Sequence, residues 1–180
     1  MKTLIGIPTM GSIHPLLALR LIEWSKIADV YFTSRVSPVD RARNNIVKAF
    51  LSGEYTNLFF VDSDTIPPPE ALERLLSHDL PIVSGMTPIH NNEDVEQRDN
   101  CPARRFTGLQ PIDYCGASCL LIKREVFESI NPPYFTFIMS DDNTEILKSE
   151  DLNFCSRLKK YQIMADTDII CRHVKEIELV

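Results

Sequence analysis

Leu58-Phe59-Phe60-Val61-Asp62-Ser63-Asp64-Thr65 is the stretch that decides how the chain is read. Its apolar run, aromatic and ending in a β-branched residue, predicts a strand buried on both faces. Two carboxylates at alternate positions end it, and Pro67-Pro68-Pro69 forbids its continuation. Open α/β sheets place ligand sites at the carboxyl ends of such strands. Two neighbouring acids repel unless something positive sits between them. A hard divalent cation, Mn²⁺ or Mg²⁺, suits carboxylate oxygens at Asp62 and Asp64. The same residue types also fill polar turns and helix caps, so the surrounding chain has to decide between the two.

Upstream, Leu4-Ile5-Gly6-Ile7 predicts a strand closed by Pro8-Thr9, and Ser12 is placed to cap a helix over 13–27. Val30-Tyr31-Phe32 predicts a second strand ending in Thr33-Ser34-Arg35. Strand, helix and strand in succession form a right-handed crossover, without the G-x-G-x-x-G turn of a dinucleotide site. Ser37-Pro38 opens a second helix that Ser52-Gly53 stops. Arg43-Asn44 lies on it, on the path into Asp62-Ser63-Asp64.

Downstream, a helix over 70–77 and a short strand over 80–84 lead into a polar stretch, 86–105, that carries His90. Such a long aperiodic stretch predicts a functional loop. Residues 112–122 read as strand on both sides of a break at Gly116-Ala117-Ser118, where glycine marks a bulge or a close approach by a ligand. A helix over 123–130 and a second polar loop over 140–148 follow. Ser149-Glu150-Asp151 begins a helix running to about Tyr161. Capping and the helix dipole use one of its two acids and leave the other for chemistry. Strand-like pieces over 163–165 and 168–171 then deliver Arg172-His173.

The 180 residues predict a single domain, 1–180, with 44% apolar and 24% charged side chains. A net charge of −6 with no basic run excludes an obvious nucleic-acid surface. No apolar stretch reaches membrane-spanning length and no leader precedes the first strand, which together predict a cytoplasmic protein. Five cysteines without secretory context predict reduced thiols. Cys115, Cys119 and Cys171 with His173 match no compact zinc module.

In order, Ile5-Gly6-Ile7-Pro8-Thr9, Arg43-Asn44, Asp62-Ser63-Asp64, Gly116-Ala117-Ser118, Glu150-Asp151-Leu152 and His173 resemble the parts of GT-A-type glycosyltransferases, especially those like family 2. The resemblance implies a GT-A-like, Rossmann-like α/β domain with a mostly parallel twisted sheet flanked by helices. It implies transfer from a nucleotide-diphosphate sugar, of UDP or GDP type, to a glycan or other hydroxyl acceptor, with Mn²⁺ or Mg²⁺. Asp64 and His173 would ligate the metal, and Asp62 would contact it through water or hold the ribose. Pro8, Thr9, Ser34, Arg35 and Arg43 would hold the base and the ribose or pyrophosphate, and Gly116 and Ala117 the donor sugar. Asp151, with Glu150 beside it, matches the acid that takes a proton from the acceptor.

Two departures stand out. Thr33-Ser34-Arg35 replaces the acidic turn common after the second strand, and little chain remains for an acceptor domain. Two alternatives use the same residues. A haloacid-dehalogenase-like phosphatase would use Asp62 as nucleophile and Asp64 as acid/base, but it would set that strand near the N-terminus. A non-catalytic nucleotide-sugar-binding module would need no Glu150-Asp151 pair.

Overall fold

The computed structural model describes residues 2–89 and 98–174. The strands are β1 (Thr3–Thr9), β2 (Ala28–Ser34), β3 (Asn57–Val61), β4 (Thr65–Ile66), β5 (Ile82–Met86), β6 (Pro88–Ile89), β7 (Arg98–Asp99), β8 (Leu109–Ile112), β9 (Cys119–Lys123), β10 (Ile138–Met139), β11 (Ile146–Lys148), β12 (Ile163–Ile170) and β13 (Arg172–His173). The helices are α1 (Pro15–Trp24), α2 (Val39–Ser52), α3 (Ala71–Ser77), α4 (Arg124–Glu128) and α5 (Glu150–Arg157).

The apolar run before Asp62 forms β3, and all of it is buried. Leu58 and Phe60 join one core layer with Ile46, Phe50 and Phe154, while Phe59 and Val61 join the other with Leu17, Trp24 and Leu72. A strand covered on both faces needs apolar residues at every position, and each buried Leu or Phe contributes about 1.5–3 kcal/mol. One seven-stranded sheet results, in the order β2-β1-β3-β9-β5-β12-β8. Five strands run one way; β9 and β8 run against them. The mostly parallel sheet is therefore present, with β3 beside the middle strand.

This strand direction gathers the site. The parallel strands all end on one edge, which carries Thr9, Ser34, Asp62 and the turn into β13. The antiparallel β9 starts at that edge, so its leading segment Gly116-Ala117-Ser118 arrives there too. The strand expected over 112–122 is thus two strands set apart in the sheet, β8 and β9, with the small residues in their connection. Small side chains signalled a break; only long-range pairing could show that the break separates two strands.

Other boundaries moved for local reasons. His14, not Ser12, caps α1, accepting from the Leu16 N–H at 3.2 Å. The helix expected to reach Tyr161 stops at Arg157, whose guanidinium turns back to the carbonyls of Asn131, Pro133 and Tyr134. The loop over 140–148 is largely a hairpin, with β10 paired to β11. In the loop over 86–105, β6 pairs with β7, and His90 lies outside the described residues. The two last strand pieces are one strand, β12, whose pairing with β5 shifts register between Asp166 and Ile170. Among the described residues no helix is long and apolar enough to cross a membrane.

That shift is held by Asp166, which is fully buried. It accepts from Arg74 Nε at 2.6 Å and Nη2 at 2.9 Å, pairs with His78 Nε2 at 2.8 Å, and accepts from the Asp168 N–H at 3.2 Å. Burial works to raise its pKa, but the hydrogen bonds from Arg74 and His78 outweigh it and hold the carboxyl below the usual range. A depressed carboxylate stabilises the fold above its unfolded pKa of about 3.9 and loses that contribution as pH falls through the folded value. Asp166→Asn is expected to cost about 1.5–3 kcal/mol near pH 7. The gap in melting temperature to the parent should close below about pH 4; a gap independent of pH would show that Asp166 acts by packing alone.

Candidate active site

The turn after β3 is fixed from several sides. The Thr65 N–H donates to Asp62 O at 3.0 Å, the Asp62 N–H to Ser118 O at 3.3 Å, and the His14 N–H to Ser63 O at 3.0 Å. β4 then pairs with β13, setting His173 opposite Thr65. His173 Nε2 lies 3.3 Å from Asp64 Oδ2, and Nδ1 lies 2.8 Å from the Pro88 carbonyl oxygen. A carbonyl only accepts, so Nδ1 carries a proton and Nε2 is the ring nitrogen that faces Asp64. Two acceptors so close call for a proton or a cation between them, and a carbonyl behind the histidine is a common way to orient a metal ligand.

Behind this turn lies Arg43, 3% exposed on α2. Its Nη2 is 3.0 Å from Asp62 Oδ1, its Nε is 3.1 Å from Glu150 Oε1, and Nη1 donates to Ala117 O at 3.5 Å. One guanidinium thus ties β3, α5 and the segment before β9. Desolvation is the strongest influence on Asp62 and raises its pKa; Arg43 opposes that, and Asp64 adds to it. Burial likewise raises Glu150, with Asp151 adding to the effect and Arg43 again opposing. Desolvation disfavours the Arg43 charge, yet the carboxylates of Asp62 and Glu150 prevail and raise its pKa.

Asp151, the second residue of α5, is oriented by its neighbours. Ser149 Oγ and the Leu152 N–H donate to its Oδ1, the latter at 2.8 Å. Oδ2 lies on the other side, 3.4 Å from where a Cβ on Gly116 would stand. A side chain at Gly116 would also meet Asn100 Cβ at 3.2 Å, so glycine is what lets this backbone pass between Asn100 and Asp151. Asn100 holds it there: the Gly116 N–H donates to Asn100 O at 2.9 Å, and Asn100 Oδ1 accepts from the Thr87 N–H at 2.9 Å. Ser118 Oγ donates to Thr87 Oγ1 at 2.9 Å, closing a buried polar network.

A cleft of about 420 Å³ opens beside Asp62 and Asp64, lined by Pro8, Thr9, Met10, Ser12, Val36, Ser37, Val39, Ala42 and Ser63. Of the expected binding residues, Pro8, Thr9 and Asp62 line it; Ser34, Arg35 and Arg43 do not, Ser34 pairing with Thr9 in the sheet, the Arg35 N–H donating to Thr9 O at 2.9 Å and Arg43 bonding Asp62. Val36, Ser37 and Val39 escaped the sequence reading, because only the turn from β2 into α2 folds them against Pro8. Asn100 and Thr87 carried no motif at all.

No protein-family model matches the chain, and no curated protein does. Solved structures do. A197 from STIV superposes with a TM-score of 0.74 at 23% identity, over 98% of this chain and 87% of that one. GalNAc-T7, crystallised with UDP, GalNAc and Mn²⁺, gives 0.57 at 10% identity over 99% of this chain. S. aureus TarS 1-349 in complex with UDP-GlcNAc gives 0.56 at 14% identity over 98%.

The fold is GT-A-like. The chain spans 44% of that GalNAc-T7 chain and 60% of that TarS chain. The sheet edge beside the cleft also carries the Asp64–His173 pair and, through the start of β9, the Gly116 segment that passes Asp151.

The residues fit a hard divalent cation in a limited way. Among the described residues, no three His, Cys, Asp or Glu side chains form a ready cluster. Asp64 and His173 form a pair, and Asp62 Oδ1 is buried without a hydrogen bond despite its ion pair with Arg43. Small octahedral cations are commonly held by one or two carboxylates with substrate phosphates and water supplying the rest, which is what such a pair offers.

Proposed function

We propose that the chain is a metal-dependent glycosyltransferase, moving a sugar from a nucleotide-diphosphate sugar of UDP or GDP type to a hydroxyl acceptor. The observation that carries this is the Asp64–His173 pair, 3.3 Å apart at the mouth of the Asp62 cleft. GT-A-like neighbours crystallised with UDP, UDP-GlcNAc and Mn²⁺ support the donor class and the cation. Mn²⁺ or Mg²⁺, held by Asp64 and His173, would stabilise the negative charge that develops on the leaving diphosphate.

The other roles follow from position. Pro8, Val36, Val39 and Ala42 offer apolar walls to a flat base, and Thr9 and Ser37 offer hydroxyls to it or to the ribose. Asp62, pinned by Arg43, presents its remaining acceptor capacity to the ribose or to water on the metal. Gly116 and Ala117 supply backbone close enough to approach the donor sugar. Asp151 takes the proton of the acceptor hydroxyl through Oδ2, while Glu150 is committed to Arg43. That division favours Asp151 over Glu150 as the acid available for chemistry.

Calorimetric titration of UDP- and GDP-linked sugars, with and without Mn²⁺, tests the reading. Mn²⁺-dependent binding of one nucleotide class is expected; turnover of a generic phosphate monoester without such binding would favour a phosphatase instead. Asp151→Asn keeps the shape and the Ser149 contact but removes the base. Transfer should fall at least about 10²-fold with donor affinity unchanged. A rate near the parent's would assign the proton to another group.

A further inference from the structure

All five cysteines are free thiols, and all are buried. Four of them fall in twos, Cys115 with Cys155 and Cys119 with Cys171, Cys155 raising the pKa of Cys115 and Cys171 that of Cys119. The two pairs differ in what lies between their backbones. Cys119 begins β9, Cys171 follows β12, and β5 runs between those strands. The Cys171 N–H is still bonded to Met86 O of β5, at 2.8 Å. Two strand spacings of about 4.8 Å set the Cα atoms roughly 9–10 Å apart, past the ~7 Å that a disulfide spans. Cys119 Sγ reaches over the intervening Gly85, where a Cβ would stand 2.9 Å from it.

No strand separates Cys115 from Cys155. Cys155 sits on α5 with its Sγ 3.6 Å from the carbonyl oxygen of Cys115. Cys115 directly precedes Gly116, and Cys155 lies one helical turn beyond Asp151. We propose that Cys115 and Cys155 are a disulfide modification site, oxidised by a small-molecule disulfide such as oxidised glutathione, while Cys119 and Cys171 stay reduced.

The chemistry balances as a thiol–disulfide exchange. The Cys155 thiolate attacks one sulfur of the oxidant, whose S–S bond breaks and releases one thiol. The Cys115 thiolate then attacks the Cys155 sulfur, forming the protein disulfide and releasing the second thiol. The protein pair loses two protons and two electrons, and both electrons end on the oxidant. Cys155 is the better first nucleophile: the neighbouring Cys115 thiol lowers its pKa, while Cys155 and burial raise that of Cys115. Cys155 is also the less enclosed, 6% exposed against 0%. Cys101, the third thiol nearby, is pushed up to about 11 by burial and Asp99, and so competes poorly.

Closing this bond ties the backbone that passes Asp151 to the helix that carries Asp151. Reduced in a thiol-rich compartment, the pair leaves those two pieces joined by hydrogen bonds alone.

The full chain is incubated with oxidised glutathione, unfolded in acid, alkylated and mapped by proteolysis and mass spectrometry. Expected are three alkylated cysteines out of five, a single cross-linked peptide joining Cys115 to Cys155, and a melting temperature raised by about 5–10 °C that dithiothreitol reverses. Cys171→Ser should keep the link and Cys155→Ser should lose it. Five free thiols after prolonged exposure, or a link through Cys101, Cys119 or Cys171, would overturn the proposal. The parent's own peptide map decides even if a variant fails to fold.

Discussion

Asp64→Ala is expected to weaken Mn²⁺-dependent nucleotide-sugar binding at least about 100-fold while leaving the fold intact. The carboxylate is 52% exposed and faces His173 rather than the core, so its loss should change stability by no more than about 0.5 kcal/mol. Its removal takes away one of the two side chains proposed to hold the cation. Loss of an outer-sphere partner alone typically costs 10–100-fold in metal affinity, and a direct ligand costs more. Titration of Mn²⁺ and of a UDP-sugar into parent and variant checks this, with melting curves as the control. Equal affinity in the two proteins would move the cation site away from Asp64 and sink the proposed role of the Asp62-Ser63-Asp64 turn.

Arg43→Met is expected to cost about 3–5 kcal/mol, because a buried guanidinium is removed from between two carboxylates that cannot return to water. Glu150 suffers most, with its side chain 7% exposed and Arg43 its only cationic partner within ion-pair distance among the described residues. The sign with pH follows from linkage. Without Arg43 the folded-state pKa of Glu150 rises further above its unfolded value, so the folded protein takes up a proton first as pH falls. The deficit should therefore be largest near pH 8 and shrink toward pH 5. Urea unfolding across that range tests it, and Arg43→Met combined with Glu150→Gln should recover part of the loss. A deficit that stays constant with pH, or a double variant no better than the single one, would mean that Arg43 acts by filling space.

The amino-acid sequence by itself determined the elements whose signals are local. A short unbroken apolar run, rich in aromatic and β-branched residues and closed by prolines, reads as a strand covered on both faces, and that reading pointed to β3 and the layered α/β class. Three prolines after Ile66 barred the chain from continuing as strand, and Asp62 and Asp64 were legible as a candidate site because they directly follow β3. Tertiary structure decided what depends on distance along the chain. Arg43 and Glu150 are 107 residues apart, and nothing in the neighbourhood of either shows that one guanidinium serves Asp62 and Glu150 together. Asp64 and His173 are 109 residues apart and meet only because β4 pairs with β13. The Gly116 segment reaches the site edge because β9 enters the sheet against its neighbours, and Asn100 holds it there through its backbone carbonyl on the Gly116 N–H while its side-chain Oδ1 accepts from the distant Thr87 N–H. Hydrophobic periodicity reports which side of an element is covered; it carries no record of strand order or of the partner that a buried charge will find.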